Sequence, residues 1–552
     1  MLTVRQAHHE GRPLKTLKIW QQNINKSQAC QHDLISSGRL AREGIDIVAL
    51  QEPAINHFGG TVTAREWTVL YPPMHGSNPT KTCSIILICT DILTDSWSQI
   101  DIHDGDISAI LIRGSWGRIA IFNAYIDCMH DRGIEELARA TRAYEDENNR
   151  APGTPAHMLW IGDFNRHHPH WDRPTDNRLF TPDTLHSTEK LISAVAEAGL
   201  DLTLPPQIPT HKHNVTKKLS RLDQVFLYKH SMDTLISCDV LRHTPGICTD
   251  HLPILTALNM AVTHVPTKTI ENFREVDWEK FRAELKRSLA QLGLPEPIRN
   301  QASLNSACTR LTMVLQGTIT THVPTSEICP KSKRWWTKEL MAMRRNMNKL
   351  GRKVSKLRSR PGDPLRKEYK TAKKVYAREI KKNNKQHWRD WLERAQDPDI
   401  WMAHRYISAT SAEGNNSRIP TLNVKVGEME KVASTNVEKS KLLAETFFPK
   451  SPETVASRAE QEEEAVEPVC TMDKLTKEQI SRHLSKLKPF KAPGPDGIPN
   501  IILSKCADLL LDRLFYIYKA MIEHGLFYEP WKKFTTVVLR KPGKPKYSIP
   551  KA

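Results

Sequence analysis

A set of polar residues borders short apolar runs, and their types suit the hydrolysis of a phosphodiester. Gln22-Asn23 follows the run Leu17–Trp20, Gln51-Glu52-Pro53 follows Ile45–Leu50, and Tyr125 follows Ile119–Ala124. Gly162-Asp163-Phe164-Asn165 follows His157–Ile161. Ser220-Arg221-Leu222-Asp223 precedes Val225–Tyr228, and Thr249-Asp250-His251 precedes Ile254–Leu258. Phosphodiester hydrolysis needs a hard cation on the phosphate, a group that activates water, and donors for the developing charge. Glu52 offers a carboxylate to Mg²⁺, which takes few protein oxygens and keeps several waters. Asp163 activates or orients the attacking water. His251 serves as a charged donor to phosphate or as a base, with Asp223 fixing its tautomer. Asn23 and Asn165 supply amide donors without adding negative charge, and Tyr125 supplies a phenol.

Each piece alone has an ordinary reading. Gly-Asp-Phe-Asn is usually a turn closed by its own side chains, and a lone tyrosine usually packs. The order and number of the pieces carry the functional reading, because residues at strand ends meet in space when the strands share a sheet. The elements required are therefore buried strands with polar ends, as layered α/β proteins have.

In order and content these segments resemble the endonuclease/exonuclease/phosphatase superfamily, which holds AP endonucleases and DNase I-like nucleases. Within it they look most like the endonuclease of non-LTR, LINE-type retrotransposons. The resemblance rests on Gln22-Asn23, Leu50-Gln51-Glu52-Pro53, Asn123-Ala124-Tyr125, the run from Gly162 to Trp171, Ser220–Asp223 and Thr249–His251. It implies a four-layer αββα sandwich, DNase I-like, over residues 15–260, with the site at one edge of the sheets. It makes Glu52 the metal carboxylate and Asp250 a second metal-side or site-shaping carboxylate. It sets Asp163 and Asn165 at the scissile phosphate with Asn23 beside them, pairs Asp223 with His251, and lets Tyr125 touch phosphate. Mg²⁺ is the expected metal, with Mn²⁺ as a substitute. Two departures stand out: Asn25 replaces an aspartate of some repair enzymes, and Thr249 replaces the commoner serine. Arg166, His168, Trp171 and Arg221 are expected near DNA. His167, His168 and His170 read as a loop rather than a zinc site, since no Cys or carboxylate set with zinc spacing accompanies them.

The chain has 552 residues, enough for two to four domains, and 39% hydrophobic with 26% charged residues fits a globular protein. No apolar run approaches the ~20 residues of a membrane span, and the N-terminus has no secretory apolar core. Ten cysteines occur without a CxxC pair, which fits a reducing compartment. Eighty Lys and Arg stand against sixty-two Asp and Glu, a net charge of +18. Nearly all of that excess lies between Lys331 and Arg394, where 23 basic residues face 6 acidic ones. This stretch reads as two helices, Trp335–Leu357 and Leu365–Ala395, broken at Arg360–Pro364. Its charge points to nucleic acid, with Lys333, Arg334, Trp335, Lys353, Lys381 and Lys382 as candidate contacts. The tryptophans stack on bases or anchor the hairpin; the sequence leaves both open.

Residues 261–330 read as a helical connector, 331–410 as the basic helical hairpin, and 411–474 as a linker with an acidic, Pro-containing stretch. Residues 475–552 resemble the start of a retroelement reverse transcriptase, the fingers segment. The resemblance is carried by Lys488–Asn500, Trp531, an expected strand Thr536–Leu539 and the basic run from Arg540 to Pro545. No Tyr-x-Asp-Asp occurs, so this part is expected to be incomplete and inactive as a polymerase. The expected activity is Mg²⁺-dependent nicking of target DNA, leaving a 3′-hydroxyl that primes reverse transcription of the element's RNA, at work in the nucleus of the cell. Two other readings stand beside it: a phosphodiesterase of phospholipids or inositol phosphates, and a non-catalytic nucleic-acid-binding relic.

Overall fold

The computed structural model describes residues 16–64, 66–150, 153–213, 216, 218–242, 246–264, 269–327, 335–356, 363–394, 419–426, 429–449, 475–541 and 548–551. The chain forms two compact units.

The first unit contains two six-stranded sheets. One has the order β13-β14-β1-β2-β4-β3, built from β1 (Leu17–Asn23), β2 (Ile47–Gln51), β3 (Trp67–Leu70), β4 (Ser84–Cys89), β13 (Leu235–Val240) and β14 (Ile254–Leu258). The other has the order β5-β6-β7-β8-β12-β9, from β5 (Trp97–Ile100), β6 (Ile107–Gly114), β7 (Gly117–Tyr125), β8 (Ala156–Asp163), β9 (Leu200–Leu202) and β12 (Asp223–Tyr228). A two-stranded pair, β10 (His211–Lys212) and β11 (Leu219–Ser220), stands beside them. Each large sheet has one parallel pair at its centre, β1 with β2 and β7 with β8, and antiparallel neighbours outside.

Strand periodicity decides which face goes where. Ile119 and Ile121 of β7, Leu159 and Ile161 of β8, and Val225 and Leu227 of β12 enter the core between the sheets. Their alternates Phe122, Trp160 and Phe226 face helices α3 (Arg132–Arg150) and α4 (Pro182–Glu197). The first sheet is covered by the short helices α1 (Gln28–Gln31) and α2 (Arg39–Arg42), and Leu40 of α2, with Leu34 and Ile35 between the two, shares one buried cluster with the residues of β2. The layers are helix, sheet, sheet, helix, the αββα sandwich.

At the end of the sandwich that holds Asp163 the interior turns polar. Gln21 of β1 donates to the Gly162 carbonyl at 2.9 Å, Gln51 of β2 bonds Asn123 of β7, and Ser84 of β4 meets Ser108 of β6 at 2.6 Å. All of these side chains are buried. They tie the sheets together by hydrogen bonds where the strands deliver the candidate residues. Gly162 sits at φ 150°, and a Cβ there would lie 1.9 Å from the Ala124 carbonyl oxygen. Only glycine lets β8 run this close to β7.

The basic hairpin belongs to this unit. Its helices are α7 (Lys338–Lys356) and α8 (Pro364–Arg394), after α5 (Trp278–Ala290) and α6 (Gln301–His322) of the second unit. Trp335, Leu340, Met347, Tyr376, Ala377 and Ile380 form a core with Ala29 and Ile247 of the sandwich. Asp33 fixes the docking: it takes the Arg344 guanidinium at 3.0 Å and the Tyr376 hydroxyl at 2.7 Å. Lys373 donates to the Gly246 carbonyl at 2.8 Å.

The second unit is helical. Phe281 and Leu285 of α5 and Leu304, Leu311 and Leu315 of α6 pack with Ile480, Ile502, Leu510 and Leu514 of the C-terminal helices. Lys488–Pro499 connects helix Lys477–Ser485 to helix Asn500–Lys505, with Gly497 at φ 71°. The expected strand at Thr536–Leu539 is not formed. A strand needs a ladder of partners, and Val537 and Leu539 are 73% and 76% exposed instead. The fingers segment is therefore not confirmed. The helix break at Arg360–Gly362 and residues 450–474 of the expected linker lie outside the described residues.

No helix among the described residues is long and apolar enough to cross a membrane.

Candidate active site

One rung of the second sheet carries three of the candidate residues. Tyr125 of β7 is opposite Asp163 of β8, and Asp163 is opposite Asp223 of β12. From the facing sheet, β1 brings Asn23 and the loop before β14 brings Asp250 and His251. Odd positions of β1 point toward the second sheet, so Gln21 reaches Gly162 and Asn23 reaches Asp163. Gln22, on the other face, holds the His251 carbonyl at 3.1 Å.

The side chains form a chain of contacts. The Asn23 amide donates to Asp163 at 2.9 Å, and its oxygen accepts from the Asn25 N–H at 2.8 Å. The Asn165 backbone N–H donates to the other Asp163 oxygen at 3.1 Å. His251 Nδ1 meets Asp223 at 2.9 Å, and its Nε2 faces Asp163 at 3.7 Å. Asp163 and Asp223 are almost wholly buried, and His251 is 6% exposed. Burial holds the Asp163 carboxyl up at about 6, against the pull of the His251 charge. Burial alone would lower His251, but Asp223 and Asp163 together lift it to about 10. At neutral pH the centre is thus a cationic imidazole between two carboxylates.

Tyr125 is half-buried at the end of its strand. Burial, with the charges of Glu52 and Asp163, holds its phenol well above the usual range, so it is a neutral donor. Glu52 sits at φ 46°, its backbone N–H on the Cys83 carbonyl and its own carbonyl accepting from Lys26. Asn165 is also in the left-handed region, at φ 47°, and spends an amide N–H on the Ile126 carbonyl at 2.9 Å. That leaves the Asn165 oxygen as the end available to a cation. Non-glycine residues at such φ values cluster at functional sites.

His211 was not singled out from the sequence. It stands on β10, bridged to His251, with Nε2 3.4 Å from Asp250 and its ring 4.8 Å from that of His251. Its hydrogen bond, opposed by burial, takes the Asp250 carboxyl down to about 2. Ligand atoms of Asp163, Asp223 and His251 lie within 4.8 Å of one another, as do those of His211, Asp250 and His251. Among the described residues, Glu52 joins neither group. The structure thus sets Asp250 with two histidines, while the charges of Glu52 and Asp163 both act on the Tyr125 phenol. Carboxylate and amide oxygens of Glu52, Asp163 and Asn165 are hard donors that suit Mg²⁺.

Three expected DNA contacts are corrected. Arg166 is 2% exposed and binds the carbonyls of Asp127 and His130 and the Asp131 carboxylate. Arg221 is 1% exposed and binds the carbonyls of Leu204 and Pro205. Trp171 is buried with its indole N–H on the Arg166 carbonyl. These side chains brace the loops behind the site and are not presented to a ligand. His168 remains half-exposed, stacked on His170 with 4.6 Å between rings. Trp335 is an anchor of the docked hairpin, edge-on to His32. Lys353, Lys381 and Lys382 are exposed, and Lys333 and Arg334 lie outside the described residues.

A buried Asp–His–Asp centre thus lies at the strand ends of an αββα sandwich. Residues 119–255, from β7 into β14, match the family described as endonuclease-reverse transcriptase. The chain also resembles, in part, a polymerase from a mobile element. It is 23% identical over 307 residues to the RNA-directed DNA polymerase from mobile element jockey of Drosophila funebris, across 54% of this chain and 32% of that protein. The chain therefore spans about a third of the length of that curated relative. Two solved structures are similar in part. The endonuclease domain of TRAS1, a telomere-specific non-LTR retrotransposon, is 17% identical with a TM-score of 0.35, covering 44% of this chain and 99% of that one. The AP endonuclease LMAP from Leishmania major is 12% identical with a TM-score of 0.38, covering 46% and 91%.

Proposed function

We propose that the sandwich is a Mg²⁺-dependent endonuclease that nicks target DNA to leave a 3′-hydroxyl. The observation that carries this reading is Asp163 held between Asn23 and His251, with His251 fixed from behind by Asp223. A scissile phosphate at this edge meets a proton acceptor, a cationic donor and a neutral phenol together. Asp163 takes a proton from the attacking water, whose oxygen bonds to phosphorus. The bond from phosphorus to the 3′-oxygen breaks, and that oxygen takes a proton from solvent to become the hydroxyl. The phosphate stays on the 5′ side. His251, charged, donates to a non-bridging oxygen, and Tyr125 donates to another. Bound Mg²⁺, held by Glu52 with Asn165 beside it, would supply positive charge on the phosphate. Mn²⁺ satisfies the same donors.

In the full element the 3′-hydroxyl would prime reverse transcription, with element RNA held on exposed lysines of the hairpin such as Lys353 and Lys382, and the work would be done in the nucleus. The test is to incubate the full chain with supercoiled plasmid, with and without Mg²⁺, beside Asp163→Ala. Mg²⁺-dependent open circles, lost in the variant, support the reading. Hydrolysis of phospholipids or inositol phosphates with intact plasmid would replace it, and salt-sensitive DNA binding with no cleavage would leave a binding protein.

A further inference from the structure

A groove of about 1250 Å³ runs between the rim of the sandwich and helix α8. It exceeds the roughly 300–1,000 Å³ of small-ligand pockets. One wall is the segment that starts at Asn25, two residues past Asn23, and the segment that starts at Pro53, next to Glu52. The other wall is one face of α8, with Arg378, Lys381, Asn384 and Trp388 spaced three and four apart. Its cations are Lys26, Arg378 and Lys381, and no Asp or Glu lines it among the described residues. Trp388 is 47% exposed. Asn25, Lys26 and Cys248, with φ of 49°, 50° and 56°, line the groove, and Glu52, at φ 46°, immediately precedes Pro53 of its wall.

Helix α8 is not placed there loosely. Tyr376, Ala377 and Ile380 are buried on the sandwich, and Asp33 clamps Tyr376 and Arg344. The same helix thus turns an apolar stripe to the sandwich and a cationic, aromatic stripe to the groove.

We infer that this groove is the track for a strand of the DNA substrate leading away from the scissile phosphate, with α8 as its outer wall. The inference rests on the endonuclease reading. Arg378, Lys381 and Lys26 take phosphates, and Trp388 takes a base on its face. DNA is chosen over RNA because the groove wall includes Asn25, whose N–H bonds Asn23, and Pro53, which follows Glu52, so its occupant is continuous with whatever is cut.

The full chain carrying Arg378→Ala, Lys381→Ala and Trp388→Ala is compared with wild type and with Arg345→Ala plus Lys349→Ala. The last two are exposed cations of α7 outside the groove. In plasmid nicking, the groove variant should raise the half-saturating DNA concentration about tenfold or more, with the rate at saturation nearly kept. The log–log salt slope of DNA binding should shrink by about 2, one for each lost cation. Unchanged melting would confirm that the variant is folded. Equal losses in the α7 control would overturn the inference in favour of diffuse charge. Loss of binding to labelled single-stranded RNA with DNA half-saturation unchanged would also overturn it. If the wild type nicks nothing, the endonuclease reading fails by itself. Anisotropy of a labelled DNA duplex with a single-stranded arm, read in EDTA, then still decides whether the groove holds DNA.

Discussion

Asp163 and Asp223 stand directly opposite each other on neighbouring antiparallel strands, and His251 touches both. Two like charges at such a position normally repel. Here the imidazolium lies between them and makes the arrangement stable and asymmetric. Asp223 receives the Nδ1 hydrogen bond at 2.9 Å, whereas Asp163 stands 3.7 Å from Nε2 and takes its hydrogen bonds from the Asn23 amide and the Asn165 N–H.

Because these groups act on one phosphate, their losses should not add. Asp163→Asn and His251→Ala should each slow nicking by about 10² to 10⁴, and the double variant should be about as slow as the worse single one. Single-turnover nicking of one plasmid by all three variants measures this. A multiplicative double variant would separate the two residues.

The His251–Asp223 pair should also mark the pH dependence of stability. The folded imidazole is lifted from its ordinary 6.5 to about 10. A raised value means the contribution is complete below about 6.5 and is lost as pH rises through about 10. Metal-free wild type should therefore lose melting temperature relative to His251→Gln across that window. Parallel curves from pH 6 to pH 10, a span of roughly the two values in question, would refute the charged pair.

EDTA should abolish nicking, and Mg²⁺ or Mn²⁺ should restore it. Glu52→Gln keeps the shape and removes the charge, so it should raise the Mg²⁺ needed for half-maximal nicking about ten- to a hundredfold. Titration of Mg²⁺ at fixed plasmid tests this, and an unchanged midpoint would move the metal away from Glu52.

Asp33 is far from the chemistry in role but decides where the hairpin lies. Asp33→Asn weakens its pairing with Arg344 and Tyr376 and should cost about 1–3 kcal/mol. Trypsin should then cut α8 earlier than in wild type, a change visible by mass spectrometry of the first fragments. Identical cleavage kinetics would show that apolar packing alone holds the hairpin.

Much of the sandwich was legible because strand burial has a period of two and the polar ends are local in sequence. Ile254–Leu258 was bounded to the residue, and Ile119–Ala124 lies inside the strand Gly117–Tyr125. His211 was not legible. It sits on a two-residue strand with no apolar run to flag it, and only the fold brings it to Asp250. Gln21 and Asn123 carried no signal of cross-sheet bonding, since a buried amide looks like any turn residue until its partner is known. Arg166, Trp171 and Arg221 misled because basic and aromatic types suggest nucleic acid, while their carbonyl partners come from distant loops. The docking of the hairpin depended on Asp33 and Tyr376, 343 positions apart. Nothing local announces such a pair.

The rung of Tyr125, Asp163 and Asp223 has a consequence for any preparation of the protein. Side chains of a strand alternate between faces, so a slip of β8 by one residue would turn Asp163 toward α3 and α4. It would also push the wrong residue against the Ala124 carbonyl, where only Gly162 fits. A misaligned molecule would be inert rather than slow. Specific activity then counts aligned molecules in a sample instead of grading the quality of each one.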